Sequence, residues 1–308
     1  MRILYLAHHN NGHNDDEGAI GYALEILGHE VVRFEESTAG ISRKKFGNID
    51  FILGHKFSTF SQIARLNRIA PYVFWYFDLV NTKSDPSIAS RDRKRIAWMN
   101  ATRRVASLGF CTDGDWVRDA PSSQKLCDLV SLFQGFDERL YVPVDDPERK
   151  KEKLFDIYFG GTLQNCGRRR QQWFDDMKNT YGKSFRHSVE AFREDCRDEV
   201  DQSVISIAPD FPVTNRYHSN RVYNFCGYGA AFLHPYSERL AKDYKNREEI
   251  IFYNSRADMF EWIDDLLSDP EESFQMGQKA QERTLRDHLY RHRCERLIEV
   301  VRDRFDIH

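Results

Sequence analysis

The sequence lacks the cysteine patterns that build metal sites or disulfide frameworks. Its six cysteines include no Cys-x-x-Cys pair and form no cluster with histidine. Zinc sites and disulfide-stapled secreted domains depend on such spacings, so neither is predicted. A reducing compartment, the cytoplasm, is the expected location.

Long apolar runs and internal repeats are also missing. No apolar stretch approaches the roughly 20 residues that cross a bilayer, so no membrane span is expected. The run that follows the first two residues has five apolar residues, too few for a secretory signal. No repeat at a period of about 20 to 50 residues indicates a solenoid. The prediction is a soluble globular protein.

Positive charge is not in excess either, except in one segment. Lysine and arginine number 45 against 48 aspartate and glutamate, a net charge of −3. The chain as a whole therefore has no field that attracts nucleic acid or anionic membranes. The segment 90–104, SRDRKRIAWMNATRR, carries six basic residues and one acid, which predicts either a solvated helix face or a phosphate-contacting surface. The candidate nucleic-acid contacts are Arg91, Arg93, Lys94 and Arg95.

The length of 308 residues exceeds what one hydrophobic core usually supports, and this predicts two domains. The segment 143–153 is rich in charge and contains proline, as interdomain linkers do. We therefore predict an N-terminal domain over residues 1–145 and a second domain over 154–285. A terminal helix over 286–308 is expected to pack across both.

Each predicted domain begins with a buried strand and a glycine-containing loop. In the first, RILYLAHH precedes a polar loop, a helix that closes at Gly28 and the strand EVVRF. In the second, LFDIYFGGT precedes the helix RRRQQWFDDMKNTYG. Apolar runs that alternate with helices are typical of parallel sheets covered on both faces. The predicted fold is α/β, with two Rossmann-like domains facing across a cleft and the terminal helix crossing back to the N-terminal domain.

The stretch 219–235, SNRVYNFCGYGAAFLHP, predicts a short helix that precedes a buried strand. A helix that begins near Asn220 would point backbone N–H groups toward the carboxyl edge of the sheet, where phosphates bind. Arg221 would add a forked hydrogen-bond donor, and Gly227 and Gly229 would end the helix. The alternative is a helix that serves packing alone, with a solvated arginine.

This stretch and the residues after it resemble the C-terminal half of glycosyltransferases of the GT-B fold. The resemblance is closest to the spore-maturation-protein (CgeB-like) and family 1-like group, in which Arg-x-Phe-Glu precedes a small-residue turn and a strand. That group ends in His-x-Tyr-x-x-Arg, which HLYRHR at 288–293 resembles. GFDERLYVP resembles its interdomain segment, and FDIYFGGT its first donor-domain strand and loop. The resemblance covers residues 130–305.

The resemblance implies an enzyme that takes a sugar from a nucleoside diphosphate, with UDP the expected nucleotide and no metal or other cofactor required. An arginine beside the diphosphate would neutralise the leaving group. The alternative for the arginines at 168–170 is a solvated run on a surface helix. The sugar-donor residues implied by the resemblance are Gly160, Gly161, Thr162, Arg168, Arg221, Tyr223 and Asn224.

Asn224 departs from the family pattern, which has a glutamate there to hold the ribose hydroxyls. The family often has a second acid eight residues upstream, where this chain has Arg216. An amide oxygen accepts a hydrogen bond without the strength of a carboxylate. Another acid, such as Glu238, is the alternative ribose contact. The missing pair of acids favours an inverting over a retaining transfer.

An inverting transfer needs a base that accepts the proton of the acceptor hydroxyl. The loop AHHNNGHNDDEG offers His9, His13 and Asp16. Asp78 follows the aromatic strand WYFD, whose rings could stack on a sugar. The alternatives are a polar loop with a helix cap, and an aspartate that caps a turn.

A metal site is not predicted. TDGDW places Asp113 and Asp115 at Asp-x-Asp spacing, but so short a pattern arises easily by chance, and a turn with a helix N-cap is expected. The histidines of the first loop lack the helical i, i+4 spacing of zinc ligands.

Three functions remain open from the sequence. The first is transfer of a sugar to a hydroxyl of a polysaccharide or glycan. The second is transfer to a hydroxymethylated DNA base, which the basic segment favours. The third is a non-catalytic module that binds nucleotide sugars or polymers through a degenerate site.

Overall fold

The structure of the chain is a computed structural model. His13, one of the candidate bases, lies outside the residues that it describes. The side chains of residues 89, 90, 168 and 169 also lie outside them. The described residues are 1–9, 16–35, 46–55, 60–80, 89–147, 149, 152–163, 168–189, 191, 193–208 and 214–307.

The chain forms two compact units. The first contains Met1–Thr82, Ser90–Gln134 and Tyr290–His308, and the second contains Lys83–Ala89 and Gly135–Leu289. The chain passes from the first unit to the second between Gln134 and Gly135. This point lies ahead of the charged segment 143–153 that was expected to separate the domains.

The first unit is built on a six-stranded parallel sheet. Its strands are β1 (Arg2–Ala7), β2 (Glu30–Glu35), β3 (Phe51–Gly54), β4 (Tyr72–Tyr76), β5 (Leu108–Cys111) and β6 (Leu129–Ser131). The strand order is β2-β1-β3-β4-β5-β6. Strands β3, β4 and β5 are buried at every residue. Helices on both faces of the sheet bury them, which accounts for their continuous apolar composition.

Helices cover the two faces of this sheet in two groups. They are α1 (Asp16–Ile26), α2 (Phe60–Leu66), α3 (Ala89–Arg103), α4 (Gly114–Asp119) and the terminal helix (Tyr290–Phe305). Helix α1 and the terminal helix share a core with Tyr5 and Trp75. Helices α2, α3 and α4 share another core with Tyr72 and Phe74. Alternation of side chains along each strand supplies one set of apolar residues to each face.

The terminal helix belongs to the first unit, although it follows the second unit in sequence. The buried Tyr290 hydroxyl donates to Asp16. Arg293 donates to the carbonyl of Gln134 at 2.9 Å. The Gln134 side chain in turn donates to Asp16 at 2.7 Å. The predicted return of the last helix to the N-terminal domain is confirmed.

The second unit is built on a five-stranded parallel sheet. Its strands are β7 (Phe155–Gly160), β8 (Phe185–Ser188), β9 (Ser203–Ile207), β10 (Ala231–Pro235) and β11 (Ile251–Tyr253). The order β11-β10-β9-β7-β8 means that the chain moves outward from β7 to β8 and then returns to the other side of β7.

The helices of the second unit alternate with its strands. They are α5 (Arg168–Tyr181), α6 (Arg193–Asp201), α7 (Arg221–Gly227), α8 (Leu240–Asp243), α9 (Arg256–Ser268) and α10 (Pro270–Asp287). They include two that the sequence does not predict, α6 and α8. Helix α10 ends at Asp287, so the last helical segment of the sequence divides into α10 and the terminal helix.

A buried ion pair joins the segment that follows Gly135 to the rest of the second unit. Arg149 donates to Asp201 at 3.0 Å, and both side chains are almost fully buried. The same guanidinium donates to the carbonyls of Tyr228, at 2.6 Å, and Val142, at 3.1 Å. Removing either partner would leave a buried charge without compensation, which destabilises a fold strongly.

No helix among the described residues is both long enough and apolar enough to cross a membrane.

Candidate active site

The carboxyl edge of the second sheet has a topological switch point between β7 and β9. The chain leaves β7 toward β8 on one side and comes back to β9 on the other. Loops that leave adjacent strands in opposite directions open a crevice, and ligands of parallel α/β sheets bind there. Strand β7 ends at Gly160, so the predicted glycine turn lies at this point.

Arg221 lies against the glycine turn. A β-carbon built on Gly161 would be 2.5 Å from an Nη atom of Arg221. A β-carbon on Gly160 would be 3.0 Å from the Phe225 ring. A β-carbon on Gly161 would therefore displace the guanidinium, and one on Gly160 would press on the rings of Tyr158 and Phe225. Gly161 also has a φ of +150°, which side chains disfavour.

Backbone and side-chain hydrogen bonds hold the turn in place. The Gly161 amide donates to the carbonyl of Ser188 at 3.0 Å. The Gly161 carbonyl accepts from Nε2 of His187 at 2.7 Å, and a carbonyl can only accept, so His187 carries a proton on Nε2. The exposed Thr162 accepts from the buried Arg170 through its carbonyl at 3.3 Å. Arg168 opens α5.

Helix α7 presents its first turn beside this glycine loop. The helix begins at Arg221 after the N-cap Asn220, as the sequence predicts. The side chain of Asn224, one turn later, is half-buried. The helix ends near Gly229, as predicted. The φ of Gly229 is +83°, and this conformation lets backbone N–H groups after the helix bond to its last carbonyls.

Tyr223 points into the core of the second unit. Its hydroxyl donates to Asp243 at 2.8 Å and contacts Nε2 of His218 at 2.9 Å. Because the hydroxyl proton goes to the carboxylate, His218 must be the donor to the tyrosine oxygen. His288 approaches the same aspartate and contacts its carbonyl at 3.1 Å. Tyr223 thus holds α7 against the core of the second unit. The sequence alone did not show this contact.

The charge of Asp243 is balanced inside this buried network. Burial alone would raise the pKa of Asp243, but the positive charge of Arg239 and nearby histidines, with the Tyr223 hydrogen bond, lowers it below its usual range. Arg239 donates to Asp243 from one turn earlier, at 2.5 Å. The carboxylate is therefore ionised at neutral pH and holds Tyr223 in a single orientation.

The carboxyl edge of the first sheet contains a histidine paired with a carboxylate. Nδ1 of His8 lies 2.9 Å from Glu35, and both side chains are partly exposed. The carboxylate accepts, so Nδ1 carries the proton of the neutral ring and Nε2 is its basic nitrogen. The hydrogen bond from His8 lowers the pKa of Glu35 below its usual range. Glu35 was not among the predicted residues, although Ala7 and Glu35 are register partners at the ends of β1 and β2.

The predicted bases His9 and Asp16 take different positions. Nε2 of His9 lies 3.2 Å from the Tyr5 carbonyl, and its backbone amide donates to Glu35 at 3.1 Å. Asp16 is held by Gln134 and Tyr290. His9 thus supports the His8–Glu35 pair, and Asp16 is part of the anchor of the terminal helix.

Asp78, the remaining predicted base that the structure describes, follows β4 at the same edge. Its side chain is 36% exposed and lies 3.5 Å from Arg95. Arg95 also donates to the Leu79 carbonyl at 2.7 Å. The cation that faces Asp78 thus also holds the backbone that follows it.

Asp113 is a helix cap, as the sequence predicts. It accepts from the backbone amides of Trp116 and Val80, each at 2.9 Å, and is fully buried. Both of its oxygens are used in this way. Within the described ranges, no three histidine, cysteine or acidic side chains lie together as metal ligands would.

One family model matches part of the chain, mostly within the second unit. Residues 149–299, just under half of the chain, match a family model described as "Glycosyl transferase-like". The matched range contains the glycine turn, Arg221 and the Tyr223 network. No curated protein matches the sequence significantly.

Solved structures resemble the chain over its whole length. Sucrose-phosphate synthase from Thermosynechococcus elongatus has a TM-score of 0.72 at 13% identity, covering 99% of both chains. The fold is GT-B. HepE from Anabaena, in complex with UDP and glucose, has a TM-score of 0.64 at 12% identity, covering 98% of this chain and 100% of HepE. A glycosyltransferase from Rickettsia africae has a TM-score of 0.63 at 10% identity, covering 100% and 99%. The family match and the GT-B fold together support a glycosyltransferase.

Proposed function

We propose that the protein transfers a sugar from a UDP-sugar to an acceptor hydroxyl. The observation that carries this proposal is the guanidinium of Arg221 against Gly161 at the switch point of the second sheet. A diphosphate bound there would be contacted by a forked cation and by backbone unshielded by side chains. HepE, which has the same fold, binds UDP and glucose in its crystal structure, and this supports UDP as the nucleotide.

In this proposal the sugar-donor residues act in three ways. Gly160, Gly161 and Thr162 would let the phosphates approach the main chain, and Arg168, the first residue of α5, is the proposed second cation. Arg221 neutralises the leaving UDP, so that no metal is required. Tyr223 positions Arg221 through its bond to Asp243.

Ribose recognition rests on an amide in this chain. Asn224 lies one turn after Arg221 on the same helix and would accept a ribose hydroxyl through its side-chain oxygen. Glu238, which is exposed three residues after the end of β10, is the alternative contact. The loss of the family glutamate at position 224 is compatible with the CgeB-like assignment only if one of these residues takes its role.

We assign the acceptor base to His8, with Glu35 as the residue that orients it. The arrangement matches the requirement for a base whose second nitrogen is held by a carboxylate. An imidazole is well suited to remove a proton near neutral pH, and the carboxylate of Asp78 is engaged by Arg95. A base of this kind favours inversion at the sugar carbon. His9, His13, Asp16 and Asp78 remain the alternatives.

The proposal for the acceptor follows from exposed positive side chains on the first unit. Arg93 and Lys94 are exposed on α3, and a polyanionic acceptor such as hydroxymethylated DNA would be attracted to them. Polysaccharide or glycan hydroxyls are the alternative acceptors. A non-catalytic module would bind UDP-sugars equally well but release no UDP.

The test is a thermal-shift and UDP-release assay with a panel of UDP-sugars. A ligand at about 100 times its Kd stabilises a fold by about 2.7 kcal/mol, roughly 5 to 10 °C for a unit of this size. We expect Arg221→Gln to abolish both the shift and the release. Lys178→Gln, an exposed cation elsewhere on the second unit, should leave both unchanged.

Two outcomes would overturn the proposal. One is the absence of any shift with UDP or UDP-sugars. The other is a shift that survives Arg221→Gln in a variant whose circular dichroism matches the parent. Binding without UDP release, in the presence of oligosaccharide and hydroxymethylated DNA acceptors, would favour the non-catalytic module.

A further inference from the structure

The glycine turn at 160–162 does not fix its own conformation. Glycine adopts positive and negative φ about equally well, so the sequence of the turn leaves several backbone conformations open. In the structure Gly161 has a φ of +150°, and bonds from outside the turn hold it there. Two of these bonds come from the neighbouring strand β8, which ends at Ser188.

His187 and Ser188 bond to the carbonyl and the amide of Gly161. The Ser188 carbonyl accepts from the Gly161 amide at 3.0 Å, and this bond continues the pairing of Ser188 with Gly160 at the ends of β8 and β7. Nε2 of His187 donates to the Gly161 carbonyl at 2.7 Å. The second bond comes from a side chain and lies beyond the last pair of the two strands. His187 therefore sets the direction of the Gly161 carbonyl.

The direction of this carbonyl also fixes the amide that follows it. In a trans peptide the N–H points away from the C=O, so the His187 bond orients the Thr162 amide as well. The next carbonyl, that of Thr162, accepts from the buried Arg170 at 3.3 Å. Side chains of β8 and α5 thus hold two successive peptides of the turn, and Arg221 lies against the first of them.

The ring of His187 is itself held in one position. It stacks on Phe159 of β7, with ring centroids 5.2 Å apart and ring planes 13° apart, and it meets Phe174 of α5 edge-on at 4.8 Å. A side chain locked by packing can hold a functional group precisely. The packing does not need a nitrogen, however, because a phenylalanine ring would stack in the same way.

We propose that His187 is a positioning residue of the donor site, which orients the Gly161 peptide to receive the diphosphate. This inference rests on the proposed function. His187 acts through Gly161 and does not itself touch the nucleotide. Without the Nε2–H donor the glycine backbone would regain its freedom, and a bound diphosphate would have to order it again. A turn that is ordered before the ligand arrives binds it more tightly.

Two substitutions of His187 separate the hydrogen bond from the ring. His187→Phe keeps a ring beside Phe159 and Phe174 but has no N–H. It should fold with nearly the stability of the parent and bind UDP about tenfold more weakly. His187→Gln loses the ring but places an amide N–H near the position of Nε2. It should lose stability and keep its UDP affinity within about threefold of the parent.

Isothermal titration would measure Kd for UDP and, by competition, for uridine, while urea unfolding would measure stability. The turn is proposed to contact phosphates, so the affinity for uridine should be the same in every variant. In the double variant His187→Phe with Arg221→Gln, the losses of UDP affinity should be less than additive, because both side chains act at Gly161.

Phe174→Leu is the matched control. It removes a ring contact to His187 and leaves the hydrogen bond to Gly161 in place. It should therefore lower the free energy of unfolding without changing either Kd.

An unchanged UDP affinity in His187→Phe overturns this inference and leaves the proposed function intact. Equal losses of UDP affinity in His187→Phe and His187→Gln also overturn it, because they would show that the ring serves packing alone. A loss of uridine affinity as large as the loss of UDP affinity would do the same. A parent protein that binds no UDP overturns the proposed function and this inference together.

Discussion

The guanidinium of Arg221 occupies the space that a side chain on Gly161 would need. A β-carbon there would lie 2.5 Å from an Nη atom. Gly161 directly follows strand β7, whereas Arg221 begins helix α7 60 residues later, and the fold brings them together at the switch point of the sheet. The two residues therefore act together in the candidate site.

Gly161→Ala should weaken UDP binding by displacing Arg221. We expect the loss to resemble that of Arg221→Gln, and the double variant to be little worse than either, because contacting residues are not additive. Isothermal titration with UDP measures the three values. Gly182→Ala is the control, since Gly182 also has positive φ but open space around it. Additive losses in the double variant would show that the residues act separately.

Asn224→Glu should tighten UDP binding if Asn224 contacts the ribose. A carboxylate accepts a hydroxyl more strongly than an amide does, by about 1 kcal/mol, or roughly fivefold in Kd. Glu238→Gln should leave the affinity unchanged in that case. If Glu238→Gln weakens UDP binding and Asn224→Glu has no effect, Glu238 is the ribose contact.

Glu35→Gln should lower kcat with little change in KM for the UDP-sugar, because Glu35 is proposed to act through His8. Removing its negative charge makes the protonated imidazole less favourable, so the acid limb of the pH–rate profile should move to lower pH. His8→Ala should lower kcat further. Glu30→Gln, at the opposite end of the same strand and exposed, is the control. An unmoved acid limb in Glu35→Gln would exclude this role.

Asp243→Asn should destabilise the fold by about 2 kcal/mol at pH 7, because it breaks the buried hydrogen bonds with Tyr223 and Arg239. The pKa of Asp243 is lower folded than its ordinary value near 4. Its contribution is therefore present above that value and is lost as the pH falls through the folded pKa. Urea unfolding at pH values from 7 down to 3 should show the difference between variant and parent shrinking at the acid end.

The matched control for Asp243 is Glu248→Gln. Glu248 pairs with Lys245 at the surface, with both side chains well exposed, and such pairs contribute little. Its removal should change the free energy of unfolding by less than about 0.5 kcal/mol at every pH. A difference for Asp243→Asn that persists undiminished at pH 3 would contradict the ionic origin of its effect.

Much of the fold was predictable because buried parallel strands are continuous apolar runs. Strands such as β4, YVFWY, and β10, AFLHP, stand out on this basis. Strand β8, FRHS, was missed because it is a polar edge strand. Helix α6, REDCRDEVD, was missed because only Cys196 and Val200 provide an apolar face. Short elements such as β6 and α8 give patterns too brief to recognise.

The amino-acid sequence by itself determined the α/β alternation, the glycine turn and the position of the helix that carries Arg221. These depend on local chemistry, namely apolar periodicity and the backbone freedom of glycine. Only the tertiary structure decided that Arg221 meets Gly161, that His8 pairs with Glu35, and that Tyr223 turns inward to Asp243. Such contacts join residues far apart in sequence, and strand order, which sets them, leaves no local mark on the chain.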